Sequence, residues 1–266
     1  MMSLSGSQDA AAVSAFCADG ESPFIIWTFR RTGGTSLRSI FFWLSSFGAW
    51  QDEAFNTDRE LGGITRAFEE SGDAAALDAA IRDIVSQRKN LKHCIEVVPY
   101  EVNSALLRHS VATGYRHLIL LRLNEVERQL SLALAKVTKA WGPTEAESVY
   151  AEIRDGRRKL EPLNLGQIRR EMDRDAAALG RLVRLLLQYR VSYGMTVFED
   201  LYEGPLAARI AEVRRVAGLL GLSRASREPD KAFHHALMQR SQGTKGIYDF
   251  VPNILEVREF IRRQTT

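Results

Sequence analysis

The chain has 266 residues, 45% of them hydrophobic and 26% charged, with a formal net charge of +3. That is the make-up of an ordinary globular protein, long enough for one well-buried domain or a domain with an insertion. So small a charge excludes bulk attraction to nucleic acid or to an acidic membrane surface, and no apolar run reaches the roughly 18 residues of a membrane-spanning helix.

Residues 1–22 carry Asp9 and Asp19 and lack a basic start, so they read as a tail rather than a signal peptide. Cys17 and Cys94 are far apart and form no disulfide framework, which suits a reducing cytoplasm. Residues 23–266 read as a single α/β domain. Four short apolar runs, 24–29, 91–98, 117–121 and 195–198, predict buried parallel strands, three of them followed closely by helix-like stretches. Apolar spacing predicts helices over 35–47, 74–88, 124–141 and 205–220, the last closed by Gly221. From about 143 to 193 charge becomes dense while Leu179, Leu182, Leu186 and Leu187 keep a helical period. This stretch is expected to be a helical insertion that packs on the sheet, lines an acceptor pocket or forms a dimer face.

The first strand leads into "FRRTGGTSL", residues 29–37. A strand feeding straight into a helix offers backbone N–H groups and the helix dipole to an anion. Gly33 and Gly34 allow a tight turn and close approach, and Thr32, Thr35 and Ser36 add hydroxyls. Aligned on the GxxxxGK[ST] pattern, Phe29 replaces the first glycine and Thr35 replaces the lysine that clamps β- and γ-phosphates. Arg30 and Arg31 stand just ahead of the turn instead. That suits a diphosphate-like anion whose transferred group is not a γ-phosphate; the plainer alternative is a Gly-Gly turn with surface arginines. The third strand places Arg122 at its carboxyl end, and Ser131 follows nine residues later on the next helix. An arginine with a serine hydroxyl can grip a phosphate monoester.

Both elements resemble those of sulfotransferases that use 3′-phosphoadenosine 5′-phosphosulfate (PAPS). Arg31-Thr32-Gly33-Gly34-Thr35-Ser36-Leu37 is similar to that family's 5′-phosphosulfate loop, with Gly34 standing where Thr or Ser is commoner. The strand-end Arg122 with Ser131, Leu132, Ala135, Thr138 and Trp141 resembles the 3′-phosphate element of the bacterial trehalose-sulfotransferase-like branch. "TVFEDLYEGP" resembles the strand and loop near the adenine, with Phe198 where Tyr is common. "QRSQGTKGIYDF" is faintly similar to the loop closing over the 3′-phosphate, with Arg240, Gly243 and Lys245 as its candidates.

The resemblance implies a three-layer, P-loop-like α/β fold with a central, mainly parallel sheet. It implies PAPS as co-substrate, with Arg31 on the leaving phosphate, and a small-molecule or glycan hydroxyl as acceptor. No metal, no nucleic acid and no transmembrane segment are expected, and a homodimer stays open. Two residues stand as the base: Glu53, in a context similar to the branch's glutamate, and His93, in "NLKHCIEVVP", similar to the histidine segment of cytosolic sulfotransferases. Glu53 is preferred because the Ser131 helix is the sharper match. The competing readings are a small-molecule kinase, against which the missing lysine counts, and a non-catalytic domain of the same fold.

Overall fold

The computed structural model describes residues 21–231, 233, 237 and 244–265. Strands β1 (Phe24–Thr28), β2 (Leu91–Cys94), β3 (Arg116–Leu121) and β4 (Tyr193–Val197) form one sheet in the order β2-β1-β3-β4. Every pairing is parallel. A parallel sheet needs crossover helices on its faces, which is why β1, covered on both sides, reads as one unbroken apolar run.

The helices are α1 (Gly34–Leu44), α2 (Gly62–Ser71), α3 (Ala74–Ser86), α4 (Tyr100–Ala112), α5 (Glu125–Thr138), α6 (Pro143–Arg154), α7 (Leu165–Gln188), α8 (Phe198–Tyr202), α9 (Leu206–Leu219) and α10 (Ile254–Thr265). Short 3₁₀ turns occupy Ser223–Ser226 and Thr244–Phe250. Side chains alternate across β1. Ile25 and Trp27 meet α3, α4 and the C-terminal half of α7; Phe24 and Ile26 meet α1 and α9. The result is a helix–sheet–helix sandwich. Among the described residues no helix is long and apolar enough to cross a membrane.

The segment expected as one insertion divides. Ala178, Leu182, Leu185 and Leu186 of α7 join the core over the sheet. The rest, α6 and the start of α7, packs with α5, the Thr244–Phe250 turn and α10 in a cluster of its own. Side-chain oxygens start three helices: Asp73 accepts from the Ala75 and Ala76 amides at the head of α3, Asn124 from Glu127 at α5 and Asn164 from Gln167 at α7.

All four strand ranges differ from expectation, β1 and β3 by one residue and β2 and β4 by more. β2 stops at Cys94 because the chain then turns, the Val97 amide bonding the Cys94 carbonyl, and Pro99 starts α4. β4 begins at Tyr193 rather than 195. As an edge strand it buries only Gly194 and Thr196 well, which shortens its apolar signature.

The strand order reverses between β1 and β3. In open α/β sheets the crevice outside the carboxyl ends at that switch point is where ligands bind. The loops that follow β1 and β3, carrying Arg31 and Arg122, both open there.

Candidate functional site

The turn after β1 is made by two left-handed residues, Arg31 at φ 69° and Gly33 at φ 78°. Gly33 caps α1 without any side-chain hydrogen bond to the first amides. A Cβ on Gly33 would lie 2.6 Å from the Tyr202 ring and 2.9 Å from Phe198, and the Tyr202 hydroxyl donates to the Gly33 carbonyl at 2.8 Å. Geometry and space therefore both demand glycine. Gly33→Ala is expected to cost about 1–3 kcal/mol from the left-handed backbone alone, and more from the aromatic clash. Chemical denaturation checks it, and an unchanged midpoint would mean that the turn relaxes freely.

Arg31 and Arg122 converge. The Arg31 Nε donates to Ser131 Oγ on α5 at 2.8 Å, and Arg122 Nη1 donates to the Arg31 carbonyl at 3.3 Å. The Arg122 guanidinium lies over the Phe198 ring, 4.2 Å from its centre. Phe198 starts α8, and the next residue ties α8 to the end of β3: the Glu199 carboxylate accepts from the Leu123 and Asn124 amides at 3.0 and 2.9 Å. Burial lowers the pKa of both guanidiniums. For Arg31 the phenols of Tyr150 and Tyr248 oppose that shift, and for Arg122 the opposition comes from Tyr248 and Glu199. The Arg122 Nε is buried with no hydrogen-bond partner among the described residues.

Arg30 points elsewhere. Its amide and its Nε both donate to Glu96 Oε1, at 2.9 and 3.0 Å, and its guanidinium lies over Trp141, 5.7 Å from the ring centre. These contacts brace the loop against the chain after β2 and the end of α5. Thr32 likewise faces inward: its hydroxyl is fully buried and donates to the Phe29 carbonyl at 2.8 Å. Sequence reasoning offered both as ligand donors; the Arg30 amide and Nε and the Thr32 hydroxyl are engaged within the protein.

Beneath the loop lies a cation that the loop sequence lacks. β2 pairs Lys92 with Ile26 of β1, so its side chain rises under α1. Its Cε is 2.8 Å from where a Cβ on Gly34 would stand. A hydroxyl-bearing residue at 34 would collide with it, which accounts for glycine there. The ammonium, almost wholly buried, sits 2.6 Å from Glu53 Oε1 and 3.1 Å from Asp52 Oδ1. Thr35 donates to Asp52 Oδ2 at 2.8 Å, joining the acidic pair to the start of α1.

Glu53 is held at φ 55°, and its other oxygen accepts from Asn56 at 2.9 Å. Burial works against its ionised form, but the Lys92 charge and hydrogen bond prevail, with Cys94 and Asn56 helping, and lower its pKa to about 2.

His93, the alternative base, lies on the opposite face of β2. It is 1% exposed, set edge-on between Trp27 and Phe55, and its Nε2 is 2.7 Å from Asn103 Oδ1. Burial lowers its pKa to about 4, against the opposing Asn103 bond. It is a core histidine, removed from the loop. Ser36 shares a hydrogen bond with the Tyr202 phenol. Arg240 and the side chain of Lys245 lie outside the described residues.

Sequence reasoning missed Lys92, Asn56, Tyr150 and Tyr248. A lysine inside the apolar run 91–98 was the available signal for the first; nothing local marks the other three. Comparison of the chain with protein-family models, with curated proteins and with solved structures finds no match.

Proposed function

We propose that the protein is a PAPS-dependent sulfotransferase with a P-loop-like fold, acting on a hydroxyl of a carbohydrate or glycoconjugate. The observation that carries the reading is the meeting of two cationic elements, 91 residues apart in sequence, at the β1/β3 switch point. Arg31 bridges the first loop to Ser131 of the second, and Arg122 closes on Arg31 from behind. An adenosine donor carrying phosphate at both its 3′ and 5′ positions needs two such grips, one at each side of a single ribose. The buried, unpartnered Arg122 Nε is a donor that fits one of those phosphates.

When bound, the donor supplies an activated S–O bond; that bond breaks as a new one forms between sulfur and the acceptor oxygen, and the leaving phosphate keeps the electron pair. The protein's part is to hold charge and to move one proton. Arg31 and the amides at the head of α1 face the leaving phosphate and stabilise its growing charge. Glu53 receives the acceptor's proton. A carboxylate with its pKa near 2 is ionised throughout the working range but is a weak base, so the proton moves late, once the oxygen has bonded to sulfur. Lys92 holds that carboxylate beside the loop.

Thermal shift with adenosine 3′,5′-bisphosphate and with ATP tests the reading. A ligand that binds only the folded state raises its apparent stability, by about 2.7 kcal/mol at a concentration of 100 Kd. Stabilisation by the bisphosphate at concentrations where ATP has no effect is the expected result, followed by transfer of ³⁵S from labelled PAPS to a sugar panel. Stabilisation by ATP with magnesium alone would replace this reading with a kinase.

A further inference from the structure

Tyr150 lies on α6, in the helical cluster that packs beside the sheet rather than on it. It is 3% exposed, among Leu130 and Leu134 of α5, Ile153 and Leu160. A phenylalanine would fill that apolar site equally well. Yet its hydroxyl is buried and finds no hydrogen-bond partner among the described residues. An unsatisfied buried hydroxyl costs about 1–3 kcal/mol, and native structures rarely keep one without a use for it.

The surroundings indicate the use. Leu130 and Leu134 flank Ser131, the residue that receives the Arg31 hydrogen bond. After burial itself, the Tyr150 phenol is the strongest influence on the Arg31 guanidinium, ahead of Tyr248. Tyr248 lies in the same cluster, and burial together with the nearby Glu127 charge raises its pKa. Tyr150 is therefore a donor near the Arg31 charge with no group among the described residues to receive its proton.

We propose that Tyr150 is a ligand-binding residue whose hydroxyl, held beside the Arg31–Ser131 contact, donates a hydrogen bond to a phosphate oxygen of the bound nucleotide. The proposal rests on the donor reading above for the identity of the nucleotide. It gives α6, the first part of the segment after α5, a role in the site. Its hydroxyl adds one hydrogen-bond donor to those of the two guanidiniums.

Tyr150→Phe removes the oxygen and nothing else. By titration calorimetry the variant is expected to bind adenosine 3′,5′-bisphosphate about tenfold more weakly, the loss of one hydrogen bond to a charged oxygen. Its unliganded Tm is expected to equal or exceed that of the wild type, because a stranded hydroxyl has gone. Adenosine 5′-phosphate assigns the phosphate: a tenfold loss for the bisphosphate but not for the monophosphate puts the hydroxyl on the 3′-phosphate, and a loss for both puts it on the 5′ side.

Unchanged bisphosphate affinity overturns the proposal while leaving the donor reading intact. A lowered Tm in the free variant also overturns it, since the hydroxyl would then have a protein partner. If the wild type binds ATP and not the bisphosphate, the donor reading falls and Tyr150 is judged by the same tenfold criterion with ATP. If the wild type binds neither, both fall.

Discussion

Arg31→Ala is expected to reduce single-turnover transfer from PAPS by about 10²–10³-fold, the usual effect of deleting one group that stabilises charge developing in the transition state. The guanidinium is held in place on both sides. Its backbone is already in the left-handed region, its Nε is anchored on Ser131 and its carbonyl is anchored by Arg122. Arg31→Lys keeps the charge but loses the planar fork that spans Ser131 and an anion together, so it is expected to recover only part of the rate.

Arg122→Ala is expected to act differently, raising the Kd for adenosine 3′,5′-bisphosphate about tenfold or more and lowering the rate at saturating donor less than Arg31→Ala does. Arg122 meets the first loop at the Arg31 carbonyl, and its Nε is buried with no hydrogen-bond partner among the described residues, a donor that the proposed nucleotide would use. Transfer rates read at saturating donor, with Kd read separately, distinguish the two. Arg31→Ala turning over within tenfold of wild type would remove Arg31 from the reacting centre, and unchanged bisphosphate affinity in Arg122→Ala would remove Arg122 from the site.

What the sequence reveals is what local pattern controls. β1 is legible because both its faces are covered, which makes every residue from Phe24 to Thr28 buried. Arg31, Arg122 and Ser131 are legible because strand ends and the helices after them mark where an open sheet presents groups to a ligand. Arg30 and Thr32 look equally promising in sequence. Their engagements are set elsewhere: Glu96, 66 positions away, takes the Arg30 amide and Nε, and the Thr32 hydroxyl folds back on Phe29.

The two base candidates separate for the same kind of reason. Alternation along β2 sends Lys92 and His93 to opposite faces, and only the pairing register with β1 decides which face is the loop's. Tyr150 and Tyr248 are positioned by the packing of α5, α6 and the Thr244–Phe250 turn, a cluster with no sheet beneath it to impose a strand pattern.

Lys92→Met is expected to destabilise the protein by about 3–5 kcal/mol at pH 7, the cost of leaving a buried charge without its partner. The pH dependence identifies the partner. In the wild type Glu53 has its pKa lowered from 4.5 to about 2, so its contribution, about 3 kcal/mol by linkage, is complete above pH 4.5 and lost as pH falls towards 2. Without the ammonium, burial dominates and raises the Glu53 pKa above 4.5. The sign then reverses: the variant's Glu53 contribution is complete below pH 4.5 and lost as pH rises through the new value.

The buried histidines His93 and His117, each lowered to about 4 from 6.5, lose stability as pH falls from 6.5 to 4; His117 cancels in the comparison, whereas the Lys92 charge adds to burial in lowering His93, so its removal narrows the gap further as pH falls. The difference between wild type and Lys92→Met should therefore be widest near pH 7 and narrow as pH approaches 4.5. Lys92→Met/Glu53→Gln, which removes both charges of the closest pair, should recover much of the loss and leave a flatter difference. Urea denaturation at pH 7, 6 and 5 measures it. A gap between wild type and Lys92→Met that stays constant over that range would mean that Lys92 stabilises the fold by packing under Gly34, and that the ionisation of Glu53 is set by something other than the ammonium 2.6 Å away.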